Sequence, residues 1–347
     1  MQDIKQEDRK RDHIDLAFKS ETKRVLVDDR FYYEPLFSAH PDQLTDLSIE
    51  FLGKKLSAPL WVSSMTGGVG AARHLNLNLA RACREFGLGM GLGSCRVLLD
   101  GLKSNKYFND FNLRPIMGAD LPLYANLGIA QVEILLQEEN LEKITDLVGS
   151  LDADGLIIHI NPLQEWFQPE GDRLKFSPIE TLTKVCQKTK VKIIVKEVGQ
   201  GMGPKSLKAL LDLPIAGIEL AAFGGTNFSK LEQLRTKNSG SWMEPLSQVG
   251  HTAPEMVDFL NNLLVKNNNY NDKHIIISGG VENILDGYNL KSRLNYNSVI
   301  GQAKNFLAHA ENYEDLQRFV SSEIAGFKVA KAYLVPKKEL KQEGQLK

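Results

Sequence analysis

The chain has 347 residues, of which 42% are hydrophobic and 24% are charged, with 28 glycines and 13 prolines. This is ordinary globular usage, and it excludes an intrinsically disordered, a collagen-like or a coiled-coil protein. Lysine and arginine number 42 against 43 acidic residues, which gives a net charge of −1. Because no global positive field is present, the composition argues against a nucleic-acid partner, and any recognition of phosphate must be local.

Residues 1–45 are predicted to form a charged N-terminal arm. The arm carries the basic cluster Arg9, Lys10, Arg11 and His13, which is either a solvated face or a mobile clamp for a polyanionic ligand. Neither the arm nor any later stretch approaches the roughly 18 uninterrupted apolar residues of a membrane span. We therefore expect a protein without membrane contact.

Cysteine usage bears on the compartment. Cys83, Cys95 and Cys186 occur without CxxC spacing. An odd number in this arrangement encodes neither a disulfide framework nor a structural zinc site. Because free thiols persist in a reducing compartment, the sequence favours a cytoplasmic protein.

Eight short β-rich runs follow the arm, and segments with helical periodicity separate them. The runs are continuous and apolar, which suits strands that are buried on both faces of a parallel sheet. They lie at 60–64, 87–94, 121–128, 155–161, 192–198, 217–223, 274–280 and 298–303. The helix candidates between them lie at 70–86, 130–148, 178–189, 204–211, 252–266 and 282–292.

Eight strands that alternate with helices close most naturally into an α/β fold of the (β/α)8 TIM-barrel type. We assign residues 46–340 to this barrel domain and residues 341–347 to a C-terminal tail. A doubly wound open sheet is the alternative fold. Against it, the first strand-to-helix turn reads SSMTGGVG, which lacks the full GxGxxG fingerprint and the acidic residue about 20 positions later.

Polar or glycine-rich residues follow nearly every predicted strand, at the end of a barrel where active sites lie. The last three strands run into Gly224-Gly225-Thr226-Asn227, Ser278-Gly279-Gly280 and Gly301-Gln302-Ala303-Lys304. Such turns let backbone N–H groups approach an anion, and the loops after the seventh and eighth strands are the usual phosphate site of this fold. A phosphate-bearing cofactor is the functional interpretation, and tight turns without a ligand are the structural one.

The fourth and fifth predicted strands carry polar side chains of their own. His159 and Asn161 are two positions apart and share a face, and Gln164 follows on the loop. Glu165 is either a solvent-facing residue or a ligand for Mg²⁺, which binds one or two carboxylates together with substrate phosphates. Lys196 interrupts the apolar fifth strand, and a buried ammonium needs a carboxylate, a phosphate or an electron-rich ring beside it.

Taken in order, the motifs of this chain resemble those of the type 2 isopentenyl-diphosphate isomerases, a family of FMN-dependent (β/α)8-barrel enzymes. The resemblance rests on RKRDH, SSMTGG, GLGSCR, ANLG, HINPLQE followed by PEGDR, VKEVGQGM, GGTNF and SGG. It implies the reversible 1,3-allylic isomerisation of isopentenyl diphosphate to dimethylallyl diphosphate, with reduced FMN and Mg²⁺. NADPH is implied for reduction of the flavin, and the two diphosphates are the expected small-molecule partners.

The resemblance also implies roles for residues at matching positions. Catalytic roles fall to His159, Asn161 and Gln164, and the metal ligand would be Glu165. FMN would be bound by Met65, Thr66, Gly67, Ser94, Asn126, Lys196, Thr226, Gly279, Gly280, Ala303 and Lys304. The substrate would be bound by Arg9, Lys10, His13, Ser94, Arg96 and Gln164. We also expect a homo-oligomer.

One position departs from the family pattern. After SGG the family usually presents an arginine near the phosphate, whereas this chain has Val281 and Glu282, and it has Lys304 where a small residue is common. A carboxylate at position 282 would repel the phosphate of FMN. Either Glu282 points away from the phosphate, or Lys304 compensates for it.

Two other functions are compatible with such a barrel. An FMN-dependent 2-hydroxy-acid oxidase or dehydrogenase would share the phosphate loops but would use a histidine base and arginines that bind a carboxylate. Glu165 beside Gln164, together with the RKRDH arm, favours a metal-bound diphosphate instead. A flavin-binding barrel without catalysis is conceivable because of Glu282, and the intact polar group after the fourth strand argues against it.

Overall fold

The computed structural model describes residues 2–42, 44–64, 70–236 and 242–337. The chain divides into two compact units, Met1–Phe37 with Tyr333–Lys347 and Ser38–Ala332. The first unit contains a helix and a two-stranded antiparallel sheet, and the second contains a closed barrel. The predicted tail at 341–347 lies outside the described residues.

Strands and helices alternate along most of the described chain. The strands are β1 Phe31–Tyr33, β2 Ile49–Phe51, β3 Lys54–Leu56, β4 Leu60–Val62, β5 Gly89–Gly91, β6 Leu123–Gly128, β7 Gly155–His159, β8 Ile193–Lys196, β9 Gly217–Glu219, β10 His274–Ser278, β11 Asn297–Gln302 and β12 Leu334–Pro336. The α-helices are α1 Gln2–Ala17, α2 Gly70–Phe86, α3 Phe108–Phe111, α4 Arg114–Met117, α5 Ile129–Gln137, α6 Glu142–Ser150, α7 Pro162–Phe167, α8 Pro178–Lys188, α9 Pro204–Leu211, α10 Phe228–Arg235, α11 Ala253–Lys266, α12 Ile284–Arg293, α13 Lys304–His309 and α14 Tyr313–Tyr333.

Strands β4 to β11 form a closed parallel barrel, in which each strand pairs with the next along the chain and β11 pairs with β4. Each of the eight predicted apolar runs supplies one strand. The pairing of β11 with β4 aligns Ile300 with Leu60 and closes the sheet. The (β/α)8 prediction is therefore confirmed. The open-sheet alternative is wrong, because it would leave β4 and β11 as unpaired edges.

Two aromatic side chains fill the interior of the barrel. Trp61 and Tyr124 are both 0% exposed, and their rings meet edge to face with centroids 6.1 Å apart. Glycines on the neighbouring strands make room for them. A Cβ on Gly89 would lie 2.4 Å from the Trp61 ring, and a Cβ on Gly155 would lie 2.6 Å from the Tyr124 ring. These two glycines therefore serve packing.

The hairpin of β2 and β3 covers the amino-terminal end of the barrel. Phe51, at the end of β2, is fully buried. Its ring centroid lies 6.0 Å from that of Trp61 and 4.9 Å from that of His274, the first residue of β10. Aromatic packing thus closes this end and leaves the carboxyl-terminal ends of the strands for a ligand.

The segment predicted as one helix over 130–148 consists of two helices, α5 and α6. Between them Glu139 has a φ of +58°, in the left-handed region. The N–H of Asn140 donates to the carbonyl of Leu135 over 2.9 Å, which is the Schellman pattern that ends helices. Glutamate is a good helix former, so composition does not mark this break.

Replacing Glu139 by glycine is expected to stabilise the protein by about 0.5–1 kcal/mol, because glycine adopts a positive φ without the steric penalty of a Cβ. Urea denaturation of the variant and the parent protein measures the difference. The matched control is Glu138→Gly, where the backbone is right-handed and glycine should cost about as much. If both variants lost stability equally, the left-handed backbone at Glu139 would not determine how glycine affects stability there.

Candidate functional site

A cavity of about 470 Å³ opens at the carboxyl-terminal ends of β8 to β11 and is called the first cavity below. This is the end at which barrels of this type bind ligands, and the volume is in the range that holds a cofactor. Glycine-rich turns after β9 and β10 form much of its wall. Its charged lining residues include Lys196, Glu219, Glu282 and Lys304.

The turn after β10 depends on glycine. Gly279 and Gly280 have φ values of +83° and +67°, a conformation that glycine adopts without strain. A Cβ on Gly279 would also lie 2.1 Å from the carbonyl oxygen of Ala222, so the turn packs directly on the backbone that follows β9. Backbone atoms therefore line this part of the first cavity, which allows an anion to approach closely.

Two buried groups of opposite charge line the first cavity on neighbouring strands. Lys196 and Glu219 are aligned in the register of β8 and β9. Lys196 Nζ donates to the carbonyl of Glu197 over 2.8 Å, and Ser278 Oγ donates to Glu219 Oε1 over 3.2 Å. Glu219 Oε2 has no hydrogen-bond partner among the described residues. Because such an oxygen is costly to bury, it marks a position where a ligand can donate.

Sequence patterns did not single out Glu219. Its signal was available, because a lone glutamate stands inside the apolar run GIELAAF. A carboxylate in a strand that is buried on both faces needs a partner in the protein or in a ligand.

The first cavity has mixed charge beside the turn after β10, where Glu282 and Lys304 both line the wall. The N–H groups of Glu282 and Asn283 donate to the Asp286 carboxylate over 3.0 and 3.1 Å. Asn283 Oδ1 accepts in turn from the N–H groups of Leu285 and Asp286. These donors at the amino end of α12 are therefore occupied. Lys304, the first residue of α13, supplies positive charge on this side.

His159 ends β7, and Asn126 of β6 orients its ring. Nδ1 of His159 lies 2.8 Å from Asn126 Oδ1, while the amide nitrogen of Asn126 donates to the carbonyl of Leu92. The amide oxygen therefore accepts, which places the proton on Nδ1 and leaves Nε2 as an acceptor. Burial, with a smaller contribution from the Lys196 ammonium, lowers the pKa of His159 to about 3. The ring is consequently neutral at neutral pH.

The depressed pKa of His159 should make stability fall as the pH drops below about 6.5, the pKa of a histidine in an unfolded chain. Between about pH 6.5 and 3 the unfolded state binds a proton that the folded ring excludes. We expect His159→Gln, which keeps a donor for Asn126, to reduce this loss by about 1 kcal/mol per pH unit. Urea denaturation at pH 5, 6 and 7 measures the slopes. Equal slopes in the two proteins would mean that the folded ring takes up the proton.

Glu165 is held by a hydrogen-bonded group directly after β7. The helix α7 begins at Pro162, a residue favoured at the first helical position, which brings Gln164 and Glu165 within one turn of the strand. Glu165 is buried. Its Oε1 accepts from Asn161 Nδ2 over 3.0 Å and its Oε2 from the N–H of Asp172 over 2.8 Å. Asn161 Nδ2 also donates to Gln164 Oε1, so three predicted site residues form one group.

A second cavity, of about 300 Å³, lies beside this group. Asn161 and Gln164 line it together with apolar side chains that include Ile160 and Leu163. Val198 contributes to the walls of both cavities. The second cavity therefore combines amide groups with an apolar surface next to the first.

Arg96, which follows β5, is linked to the same region. Its Nη1 lies 2.9 Å from Asp172 Oδ2, and Gln131 Nε2 donates to that oxygen over 3.0 Å. The position that a Cβ on Gly128 would occupy lies 2.3 Å from Gln131 Oε1 and 2.9 Å from His159 Nε2. The polar residues that follow β5, β6 and β7 thus form one continuous cluster.

The structure places the predicted site residues in distinct groups. The predicted FMN contacts that line the first cavity are Lys196, Thr226, Gly279, Gly280, Ala303 and Lys304. Asn126 and His159 are bonded to each other, and Ser94 is exposed after β5. Met65, Thr66 and Gly67 lie outside the described residues, and Arg9, Lys10 and His13 lie on α1 of the other compact unit. The roles of all these residues stay predictions.

The architecture defines a (β/α)8-barrel enzyme, because the cavities and the buried ionisable groups coincide at the end where such barrels carry out chemistry. The chain is 33% identical over 313 residues to the isopentenyl-diphosphate delta-isomerase of Rickettsia rickettsii (strain Sheila Smith). The aligned region covers 89% of this chain and 87% of the relative. It is 34% identical over 321 residues to the enzyme of the same name from Rickettsia canadensis (strain McKiel), and the aligned region covers 91% of this chain and 89% of that relative. The chain belongs to the isopentenyl-diphosphate delta-isomerase family, which confirms the resemblance. A scan against protein-family models found no match.

Solved structures share the fold at low sequence identity. A flavocytochrome b2 variant with sulfite bound has a TM-score of 0.59 and 12% identity, with 87% of this chain and 72% of that chain covered. A mandelate oxidase variant with a monooxide FMN adduct has a TM-score of 0.53 and 13% identity, with 89% and 88% covered. Across the described ranges, none of the helices is both long and apolar enough to cross a membrane.

Proposed function

We propose that this protein catalyses the reversible 1,3-allylic isomerisation of isopentenyl diphosphate to dimethylallyl diphosphate, with reduced FMN and Mg²⁺ bound. The observation that carries the proposal is the meeting, at one end of the barrel, of a glycine-lined cavity with the hydrogen-bonded group of Asn161, Gln164 and Glu165. Membership of the isomerase family supports the reaction. NADPH is proposed as the reductant of the flavin. A cytoplasmic location and a homo-oligomeric state stay predictions.

The first cavity fits a flavin mononucleotide. Backbone at Gly279 and Gly280 can approach a phosphate, and Lys304 adds a positive charge there. At the other side, Lys196 would donate to the ring system and stabilise its electron-rich reduced form. Ser63 Oγ lacks a partner among the residues described, so it too is available to a ligand. When bound, the reduced flavin would supply the acid–base chemistry of the proton shift.

Glu165 would hold Mg²⁺ through the lone pairs that its two hydrogen bonds leave free. Within the described ranges, no group of three or more His, Cys, Asp or Glu side chains is placed to hold a metal ion. The protein would therefore supply one carboxylate, and the diphosphate and water would supply the other ligands, which is typical of Mg²⁺. Arg96 would meet the same diphosphate as a charge-assisted donor.

The prenyl chain of the substrate would pack against the apolar wall of the second cavity, which includes Ile160 and Leu163. Gln164 has no useful pKa, so it would orient the reacting carbon skeleton without exchanging a proton. His159, with its pKa lowered to about 3, would likewise act as a neutral acceptor. The residues of this chain thus bind and orient the substrate.

A 2-hydroxy-acid oxidase is the second candidate, since flavocytochrome b2 and mandelate oxidase share the fold. That reaction needs a base with a pKa near the working pH. Burial lowers the pKa of His159 to about 3, so His159 is not that base. The isomerase proposal does not need a basic histidine, and it uses the buried Glu165 that an oxidase would leave without a role.

The first test is binding of FMN. Titration of the purified protein with FMN, followed by flavin fluorescence, is expected to show saturable binding, because the turn after β10 presents backbone to an anion. The absence of saturable binding would remove the cofactor from the proposal.

The second test is the reaction itself. The FMN-loaded protein is reduced with NADPH, Mg²⁺ and isopentenyl diphosphate are added, and dimethylallyl diphosphate is measured as the product. Parallel incubations with lactate and mandelate under air test the oxidase. Formation of a 2-oxo acid without any allylic product would reverse the order of the two candidates.

A further inference from the structure

We infer that Asp172 is a positioning residue that holds the guanidinium of Arg96 in register with Glu165, so that the diphosphate meets both in one geometry. The inference rests on the proposed function and deepens it. Asp172 belongs to the loop 169–173, which reads PEGDR and lies between α7 and α8.

Asp172 meets its partners through different atoms. Its backbone N–H donates to Glu165 Oε2 over 2.8 Å, while its Oδ2 lies 2.9 Å from Arg96 Nη1. The buried Gln131 of α5 donates to the same Oδ2 over 3.0 Å. Residues that follow β5, β6 and β7 therefore converge on one aspartate.

The loop that carries Asp172 is fixed against α7. A Cβ on Gly171 would lie 2.0 Å from the carbonyl oxygen of Glu165. Arg173 Nη1 donates to that carbonyl over 2.9 Å, and its guanidinium lies 4.5 Å from the centroid of the Trp166 ring. Because the loop is bound so closely, the Asp172 carboxylate occupies a set position relative to Glu165.

Arg96 is the side chain whose freedom the anchored carboxylate of Asp172 restricts most. Its side chain is 55% exposed, whereas that of Asp172 is 27% exposed. A long, exposed side chain loses rotamer entropy when it binds a ligand. Pairing with an anchored carboxylate removes part of that loss before the diphosphate arrives. The ion pair with Asp172 lowers the net positive charge that Arg96 presents to a diphosphate. The benefit for binding is therefore geometric and comes from the fixed position of the guanidinium.

The test is a double-mutant cycle on the binding of inorganic diphosphate, measured by calorimetry on the FMN-loaded protein with Mg²⁺. We expect Asp172→Ala to weaken binding about tenfold, the lower end of what loss of a supporting contact costs. The double variant with Arg96→Ala should bind no more weakly than Arg96→Ala alone, because Asp172 acts through Arg96. With isopentenyl diphosphate, the KM should rise while kcat stays within about twofold.

Two further variants sharpen the test. Asp172→Asn keeps an acceptor oxygen and should recover part of the affinity for diphosphate. It also replaces Asp172→Ala in the cycle if that variant does not fold. Asp120→Ala removes a carboxylate that pairs with Arg84 on the surface over 2.6 Å, and it should leave diphosphate binding unchanged.

The outcomes separate the two proposals. Additive losses in the cycle, parent-like binding by Asp172→Ala, or no diphosphate binding by the parent protein would each overturn the inference. The expected cycle in a protein that forms no dimethylallyl diphosphate would keep the positioning role and reject the proposed reaction.

Discussion

Mg²⁺-dependent turnover of isopentenyl diphosphate is expected to fall by about 100- to 1,000-fold in Glu165→Gln, because a bound metal ion contributes several kcal/mol to such reactions. The amide keeps the size of the side chain but loses the charge that holds the cation. Initial rates across a series of Mg²⁺ concentrations measure the loss. FMN binding should be unchanged, since Glu165 lies in the hydrogen-bonded group after β7 and not in the wall of the first cavity.

The surroundings of Glu165 can accept this substitution. Both carboxylate oxygens of Glu165 accept hydrogen bonds from N–H groups. In Glu165→Gln the side-chain NH2 group would therefore face another donor. Asn161 Oδ1 lacks a partner in the described part of the chain, so rotation of the Asn161 amide would let it accept from the NH2. The loss of turnover would therefore report charge and not a collapsed site.

Glu170→Gln is the matched control for Glu165→Gln, because it makes the same change in the loop that follows α7. The Glu170 side chain is 55% exposed and pairs with Arg235 on the surface. Its substitution should leave turnover and the Mg²⁺ dependence unaltered. Glu165→Asp, which keeps the charge, should recover part of the rate at high Mg²⁺. Parent-like rates for Glu165→Gln at limiting Mg²⁺ would exclude Glu165 as the metal ligand.

The barrel could be predicted because its signal is local and repeated. A strand that is buried on both faces needs an uninterrupted apolar run, and the chain repeats that run eight times. The eight strands were predicted at the correct places along the chain, but their predicted first and last residues were less accurate. The run at 217–223 extends past β9, which ends at Glu219, because Leu220 and Ala222 stay buried and still donate to the carbonyls of Ile276 and Ser278 in β10.

Contacts between distant loops could not be predicted in the same way. Hydrophobic periodicity indicates which side of an element faces the core, but it does not show which polar atoms find partners. The pairing of Arg96 with Asp172, and the Oε2 of Glu219 that has no partner among the described residues, depend on how separate loops and strand ends meet around the barrel. The resemblance named Glu165, yet the hydrogen bonds that hold it became visible in the structure.

FMN binding is expected to weaken in Lys304→Ala by about 1.5–3 kcal/mol, the contribution of a hydrogen bond to a charged group, with the lower value favoured because Lys304 is exposed. The reason is electrostatic. The donors of Glu282 and Asn283 at the amino end of α12 are occupied by Asp286, and Glu282 brings a negative charge to the same wall. A dianionic phosphate there needs a cation, and Lys304 is placed to supply it.

Riboflavin separates this effect from a general change in the first cavity, because it lacks the phosphate. Dissociation constants for FMN and riboflavin, measured by fluorescence at one salt concentration, should show that Lys304→Ala affects FMN alone. Glu282→Arg should strengthen FMN binding and leave riboflavin unchanged, since it replaces repulsion by attraction. Lys230→Ala, an exposed lysine on α10, is the matched control. If Lys304→Ala binds FMN as the parent protein does, the backbone N–H groups hold the phosphate without help from this side chain.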